Sequence, residues 1–240
     1  PNSHPMEQSD FNPFLESIEQ LEFPTSDYSA VKTEKNQICL HHTASGKGIS
    51  GDYRTFLKPG KIATPIIVGH EATYQLFSSR YWAYHLGIKS KVFRNHNLPY
   101  KNLNKTAIGI EIDSWGPLKL VNGEYRTYIN DFGEGNRTDK HGNKLIVTVD
   151  QSEVTSYENG YRGYNHYQSY NSYQIDTVKT LLQYWNLVYD IPLDYKDEMW
   201  DVSTNALKGE SGIWTHTSYR KDKTDCHPQP ELVAMLKSLT

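Results

Sequence analysis

The 240-residue sequence predicts an α/β fold: a central mixed β-sheet flanked by helices, with a β-hairpin insertion. Three observations lead there. Short β-like runs alternate with stretches of helical periodicity, the pattern of a sheet with helices on its faces. An Asn122-Gly123 pair between LKLV and EYRTYI is a two-residue turn signal, so residues 118–150 read as hairpins inserted in the sheet. Hydrophobic residues make up 37% of the chain, enough for a real core, yet no run approaches the roughly 18 apolar residues of a membrane span.

Taken in order, residues 1–11 are polar and expected to be disordered, and PNSHPM reads as a cloning remnant, so the natural N-terminus is expected to differ. From Asn12, with Pro13 in the first turn, Phe14, Leu15, Ile18 and Leu21 recur at helical spacing. Residues 1–36 are therefore a leader with a short helix, ahead of one domain over 37–240. Residues 37–42 form a strand with Ile38 and Leu40 on one face and Cys39 and His41 on the other. Ser50 is placed to cap a helix through Phe56, closed by Pro59-Gly60. Strands follow at 63–68 and 72–77, then an aromatic loop, YWAYHLG, carrying His85. A Lys/Asn-rich loop at 89–105 leads to the strand AIGIEI, 107–112, where Glu111 interrupts apolar neighbours and is either paired or functional. Past a tyrosine-rich segment, Asn171 or Ser172 caps a helix whose Ile175, Val178, Leu181, Leu182, Trp185 and Val188 form one face, ended by Pro192. Residues 194–211 read as irregular, Ile213–Thr215 as a strand delivering His216, and the chain closes in a helix from Pro230.

Charge narrows the function classes. With 25 basic and 28 acidic residues in mixed order the net charge is −3, which gives no nucleic-acid footprint, and no such partner is expected. The two cysteines, Cys39 and Cys226, are too few for a disulfide scaffold and too far apart for a CxxC knuckle; buried free thiols are expected. Tyrosine is abundant, at 18, and the Tyr157–Tyr173 run suits either a recognition groove or a packed interior. His70, His96, His141, His166 and His227 have no partner motif and are read as surface residues.

Metal chemistry concentrates in one stretch. HTSYRKDKTD, 216–225, brings an imidazole, a lysine and a carboxylate within ten residues, followed at once by Cys226 and His227. Hydrolytic zinc needs three protein ligands and an open fourth position, and His41, at the mouth of its strand, is the third candidate. His42 points to the opposite face.

Taken together, HHTAS at a strand end, YQLF, AYHLG, IGIEI and THTSYRKDKTD, in this order over residues 37–240, resemble the zinc-dependent N-acetylmuramoyl-L-alanine amidases of the type 2 amidase and peptidoglycan recognition protein superfamily. The resemblance implies one Zn2+ held by His41, His216 and Asp225, Glu111 as the base, Lys223 over the developing oxyanion and His85 as a substrate contact. It implies cleavage of the amide joining N-acetylmuramic acid to L-alanine, with peptidoglycan as partner, a monomer, and a setting in the cell envelope, outside the cell or in phage lysis. Asp225 lies nine residues after His216, one fewer than in many members, so the adjacent Cys226 stays open as third ligand. Thr64-Pro65 also departs from the pattern, since many members carry a histidine there. The alternative reading is a non-catalytic peptidoglycan-binding module of the same fold.

Overall fold

In the computed structural model the described residues are 6–43 and 50–240, the side chain of Ser50 excepted. The cap expected of Ser50, and Ala44 and Ser45 of the HHTAS motif, lie outside them.

The mixed central sheet is built from β1 (Glu19–Gln20), β2 (Gln37–His42), β3 (Ile66–Val68), β4 (Thr73–Gln75), β5 (Ala107–Ile112) and β11 (Gly212–Thr215), in the order β1-β4-β3-β5-β2-β11. Strands β3, β5, β2 and β11 run parallel, and β4 is antiparallel to β3. Every residue of β2 is buried, as expected where both faces of a parallel sheet are covered. Helices α1 (Asn12–Ser17), α2 (Ser50–Phe56), α3 (Ser90–Asn95), α4 (Ser172–Tyr189), α5 (Thr204–Leu207) and α6 (Pro230–Lys237) complete this layer.

The main core joins Ile38, Leu40, Ile108 and Ile110 to Val178, Leu181, Leu182 and Trp185 of α4 and to Leu232 and Leu236 of α6. The helical spacing in α4 therefore marks a real buried face. Its start is fixed by a capping box in which Asn171 accepts from the Gln174 amide and Gln174 accepts in return from Asn171. Its end comes before Pro192, at Asp190, which takes the left-handed conformation. A smaller core of Phe23, Phe56, Ala63, Ile67, Leu76 and Phe77 takes the middle residue of β3 on the opposite face from Ile66 and Val68.

The second sheet is antiparallel, ordered β8-β7-β6-β10-β9, from β6 (Pro117–Val121), β7 (Glu124–Thr127), β8 (Thr148–Val149), β9 (Val154–Tyr161) and β10 (Tyr164–Gln168). The β6–β7 hairpin turns at Asn122-Gly123, both at positive φ. The tyrosine-rich segment joins this sheet as the hairpin β9–β10, so the antiparallel unit runs on past residue 150.

Several local expectations are corrected. Gln8–Phe11 form a 3-10 turn, and Phe11 is buried with its ring 5.3 Å from that of Tyr184. Burying such a ring is worth roughly 1.5–3 kcal/mol, enough to order one turn of polar chain. The strands at 63–68 and 72–77 shrink to three residues each. The loop at 89–105 contains α3, anchored by the buried Phe93, and the irregular 194–211 contains α5, capped by Ser203. No helix among the described residues is long and apolar enough to cross a membrane.

Candidate metal centre

Parallel register lines up the chemistry. His41 of β2 pairs with Glu111 of β5, which pairs in turn with Ile67 of β3. Thr215 of β11 pairs with Leu40, so His216, one residue beyond, arrives beside His41 at the C-terminal edge of the sheet. A tight turn then returns Asp225: its carbonyl accepts from Thr217 N, and its Oδ2 stands 3.1 Å from His216 Nδ1 and 3.3 Å from His41 Nδ1. The two Nδ1 atoms are themselves 3.1 Å apart. His41, His216 and Asp225 are all buried.

The hydrogen-bond network assigns the protons. A carbonyl oxygen only accepts, so His216 Nε2 donates to Leu86 O at 2.7 Å and His85 Nε2 to Ala107 O at 2.8 Å. His85 Nδ1 is then an acceptor and takes the proton of His41 Nε2 at 3.0 Å. Burial pulls His41 down to about 4 and His85 well below the usual imidazole value, so both rings are neutral. That leaves the His41 Nδ1 lone pair, His216 Nδ1 and a carboxylate oxygen converging within 3.1–3.3 Å. A single proton serves one edge of this triangle; a divalent cation serves all three. Tetrahedral zinc with bonds of about 2.0–2.1 Å sets its ligands about 3.3–3.4 Å apart, so the three residues fit the ion. Ligand histidines typically give their other N–H to a carbonyl or a further acceptor, as both do here. Asp225 meets the site ionised: burial is the largest influence and pushes its carboxyl up, but His216 and the contacts with both imidazoles outweigh it and hold it well below the ordinary range.

Cys39, His41 and His85 form a second cluster. Burial pushes the Cys39 thiol well up and keeps it protonated, while the two imidazoles are already bonded to each other, which makes this the poorer site. Cys226 belongs to neither cluster. Its buried thiol faces the Tyr170 hydroxyl, and both cysteines are free.

A cavity of about 630 Å3 opens over the triangle, lined by His85, Glu111 and Lys223 and walled by Tyr84, Tyr128 and Arg220. Glu111 Oε2 is buried with no hydrogen-bond partner among the described residues. Burial first, and then the charges of Asp225 and Asp52, push its carboxyl well above the usual range. Glycine at 109, two residues earlier on the same strand face, makes room for His85: a Cβ there would lie 2.9 Å from His85 Nδ1. Asn104 Oδ1 accepts from the amides of both His85 and Leu86 and so fixes the loop that braces the two imidazoles.

No protein-family model matches the chain, and no curated protein matches it in sequence. Solved structures do. A mutant endolysin from Bacillus subtilis is 12% identical, with 93% of this chain covering 98% of that one at a TM-score of 0.50. The fold is that of the type 2 amidases. PlyL, 12% identical, aligns over 93% of this chain and 98% of its own at 0.49. The N-acetylmuramyl-L-alanine amidase AmiD from E. coli, solved with the substrate anhydro-N-acetylmuramic acid-L-Ala-D-γ-Glu-L-Lys, is 16% identical and aligns over 86% of this chain and 59% of its own at 0.47.

On this type 2 amidase fold the structure adds residues that the sequence did not single out. Arg162, in the β9–β10 turn, donates to the carbonyls of Thr217, Arg220, Lys221 and Lys223 and pairs with Asp201, holding the loop between His216 and Asp225. Tyr128, beyond β7, brings the second sheet to the cavity wall. One reading is corrected: His227 is fully buried, stacked between Tyr167 and Tyr170 at 4.5 and 4.7 Å, and bonded to Tyr157 and Gln168 O. Much of the tyrosine-rich run packs the interior around it, and none of the run lines the cavity.

Proposed function

We propose that the protein is a zinc-dependent N-acetylmuramoyl-L-alanine amidase, cleaving the amide between the lactyl group of N-acetylmuramic acid and the L-alanine of the stem peptide in peptidoglycan. The convergence of three lone-pair atoms from His41, His216 and Asp225 carries the reading. An ion held by these three would supply Lewis acidity that polarises the amide carbonyl and brings a water toward a pKa of about 7. Glu111, its proton affinity raised by burial, takes the proton of the attacking water and returns it to the leaving amine nitrogen as the C–O bond forms and the C–N bond breaks. Lys223, on the cavity wall, faces the negative charge that develops on the carbonyl oxygen. His85 keeps His41 in the tautomer that aims Nδ1 at the site. A buried carboxyl oxygen with no partner among the described residues is a cost that a pure binding module has no reason to carry, which favours an enzyme. The working partner is peptidoglycan, and the setting is the cell envelope, the outside of the cell or a phage lysis event.

Zinc content and the release of L-alanine amino ends from purified sacculi test this for wild type, Asp225→Ala and Cys226→Ala. Stoichiometric zinc and activity are expected in wild type and Cys226→Ala, and neither in Asp225→Ala. The reverse pattern for the two variants makes Cys226 the ligand, and full activity of zinc-free wild type ends the metal reading.

A further inference from the structure

A second cavity, of about 720 Å3, lies at the opposite edge of the central sheet. Its walls come from the segments entering β2, β5 and β11, whereas the metal centre sits where those strands end. Lys35 and His41 are six residues apart along extended chain, about 20 Å at 3.3 Å per residue. The walls carry Lys32, Lys35, Arg80, Lys101 and Lys208 against one acid, Glu34. In a chain of net charge −3 this is a strong local excess of one sign, hidden in the total.

None of the five cations makes an ion pair among the described residues. Lys35 is the telling one, being only 6% exposed. Its ammonium donates to Tyr81 O at 2.7 Å and Lys105 O at 2.9 Å, which uses two of its three protons and supplies no negative charge. A buried cation without a counter-charge is costly, and burial accordingly lowers its pKa to about 8. An anion entering the cavity would supply the missing charge.

We propose that this cavity binds a flexible phosphodiester chain that carries no bases. Four lysines act as point charges, which suits phosphate oxygens better than the planar, two-pronged recognition of carboxylates that guanidinium favours. The cations come from four separate segments of the chain, so they match several anionic groups in series and not one. Nucleic acid fits poorly, because single strands need open aromatic faces to stack on. The one ring in this wall, Tyr189, carries Arg80 over its face at 5.7 Å.

Calorimetric titration of the full chain with a synthetic six-unit oligo(glycerol phosphate), with orthophosphate and with a six-unit oligothymidylate tests the site at low salt. Saturable 1:1 binding of the glycerol phosphate oligomer is expected, at least tenfold tighter than either other probe. Lys101→Ala/Lys208→Ala, both exposed positions, should weaken it at least tenfold. Lys35→Met should weaken it too and Lys35→Arg retain it, while His216→Ala binds as wild type. The proposal is overturned by absence of saturable binding, by equal binding in the Lys101/Lys208 double variant, or by orthophosphate or the oligothymidylate binding as tightly.

Discussion

Burial acts on His41 and Glu111 in opposite senses although they are partners in register: it lowers the imidazole and raises the carboxyl, so both are driven toward neutrality. A neutral imidazole can ligate a metal and a carboxyl of raised proton affinity can serve as a base, so one low-dielectric strand end suits both proposed roles. Glu111→Gln keeps size and burial and removes only the basic oxygen. It is expected to lower kcat by about 10²–10⁴, with zinc content and melting temperature close to wild type. A variant that loses zinc, or stays within tenfold of wild-type kcat, would show that Glu111 is not the base. At this scale the sequence was informative where a short segment carried several chemical groups, as between His216 and Asp225. It was silent on Arg162 and misplaced His227 at the surface, because the surroundings of both are assembled from β9, β10 and the loop after β11.

At the scale of elements, β5 works because of the side chain it lacks. Glycine is disfavoured within a strand, yet a Cβ at 109 would meet Thr64 Cγ2 at 2.6 Å as well as His85 Nδ1 at 2.9 Å. Gly109→Ala should therefore push His85 off His41, release the His41 tautomer and reduce zinc affinity by about 10–100-fold without dissolving the sheet. Competition against a fluorescent zinc chelator measures this, and unchanged affinity would refute the bracing role of His85. Elements were legible in the sequence in proportion to their length. The apolar face of α4 recurs from Ile175 to Val188, whereas SKVFRN in α3 offers one fully buried residue, Phe93, too little for a helical period to show. The ends of β3 and β4 were overextended because apolar flanks such as Ala63 and Leu76 are buried, whereas the paired register runs only over Ile66–Val68 and Thr73–Gln75.

Across the whole molecule, buried phenols and thiols join the second sheet to the metal centre, and they set how it responds to alkali. Cys39, Cys226, Tyr157, Tyr161, Tyr167, Tyr170 and Tyr219 all have raised proton affinity, with burial the leading cause and Tyr161 pushed up to about 12. For an acid whose folded pKa lies above its unfolded value, stability is fully present below the unfolded value and is lost as pH rises through the folded one. The unfolded thiols begin to ionise near 9 and the phenols near 10. Each group that ionises only when unfolded lowers stability by about 1.4 kcal/mol per pH unit. Lys35 acts the other way, because between its folded value of about 8 and its ordinary 10.5 the unfolded chain holds more protons, but it is one group against seven. Urea midpoints of the zinc-loaded protein should therefore change little between pH 8 and 9 and fall steeply from pH 9.5 to 11. Replacing Tyr157 by Phe keeps the ring beside His227 and removes one ionising group, so its midpoint should fall less steeply than wild type over that interval. A midpoint that holds level to pH 11 would mean that these groups ionise as readily in the folded protein as in the unfolded chain, and hence that the junction between sheet and loop is open to water.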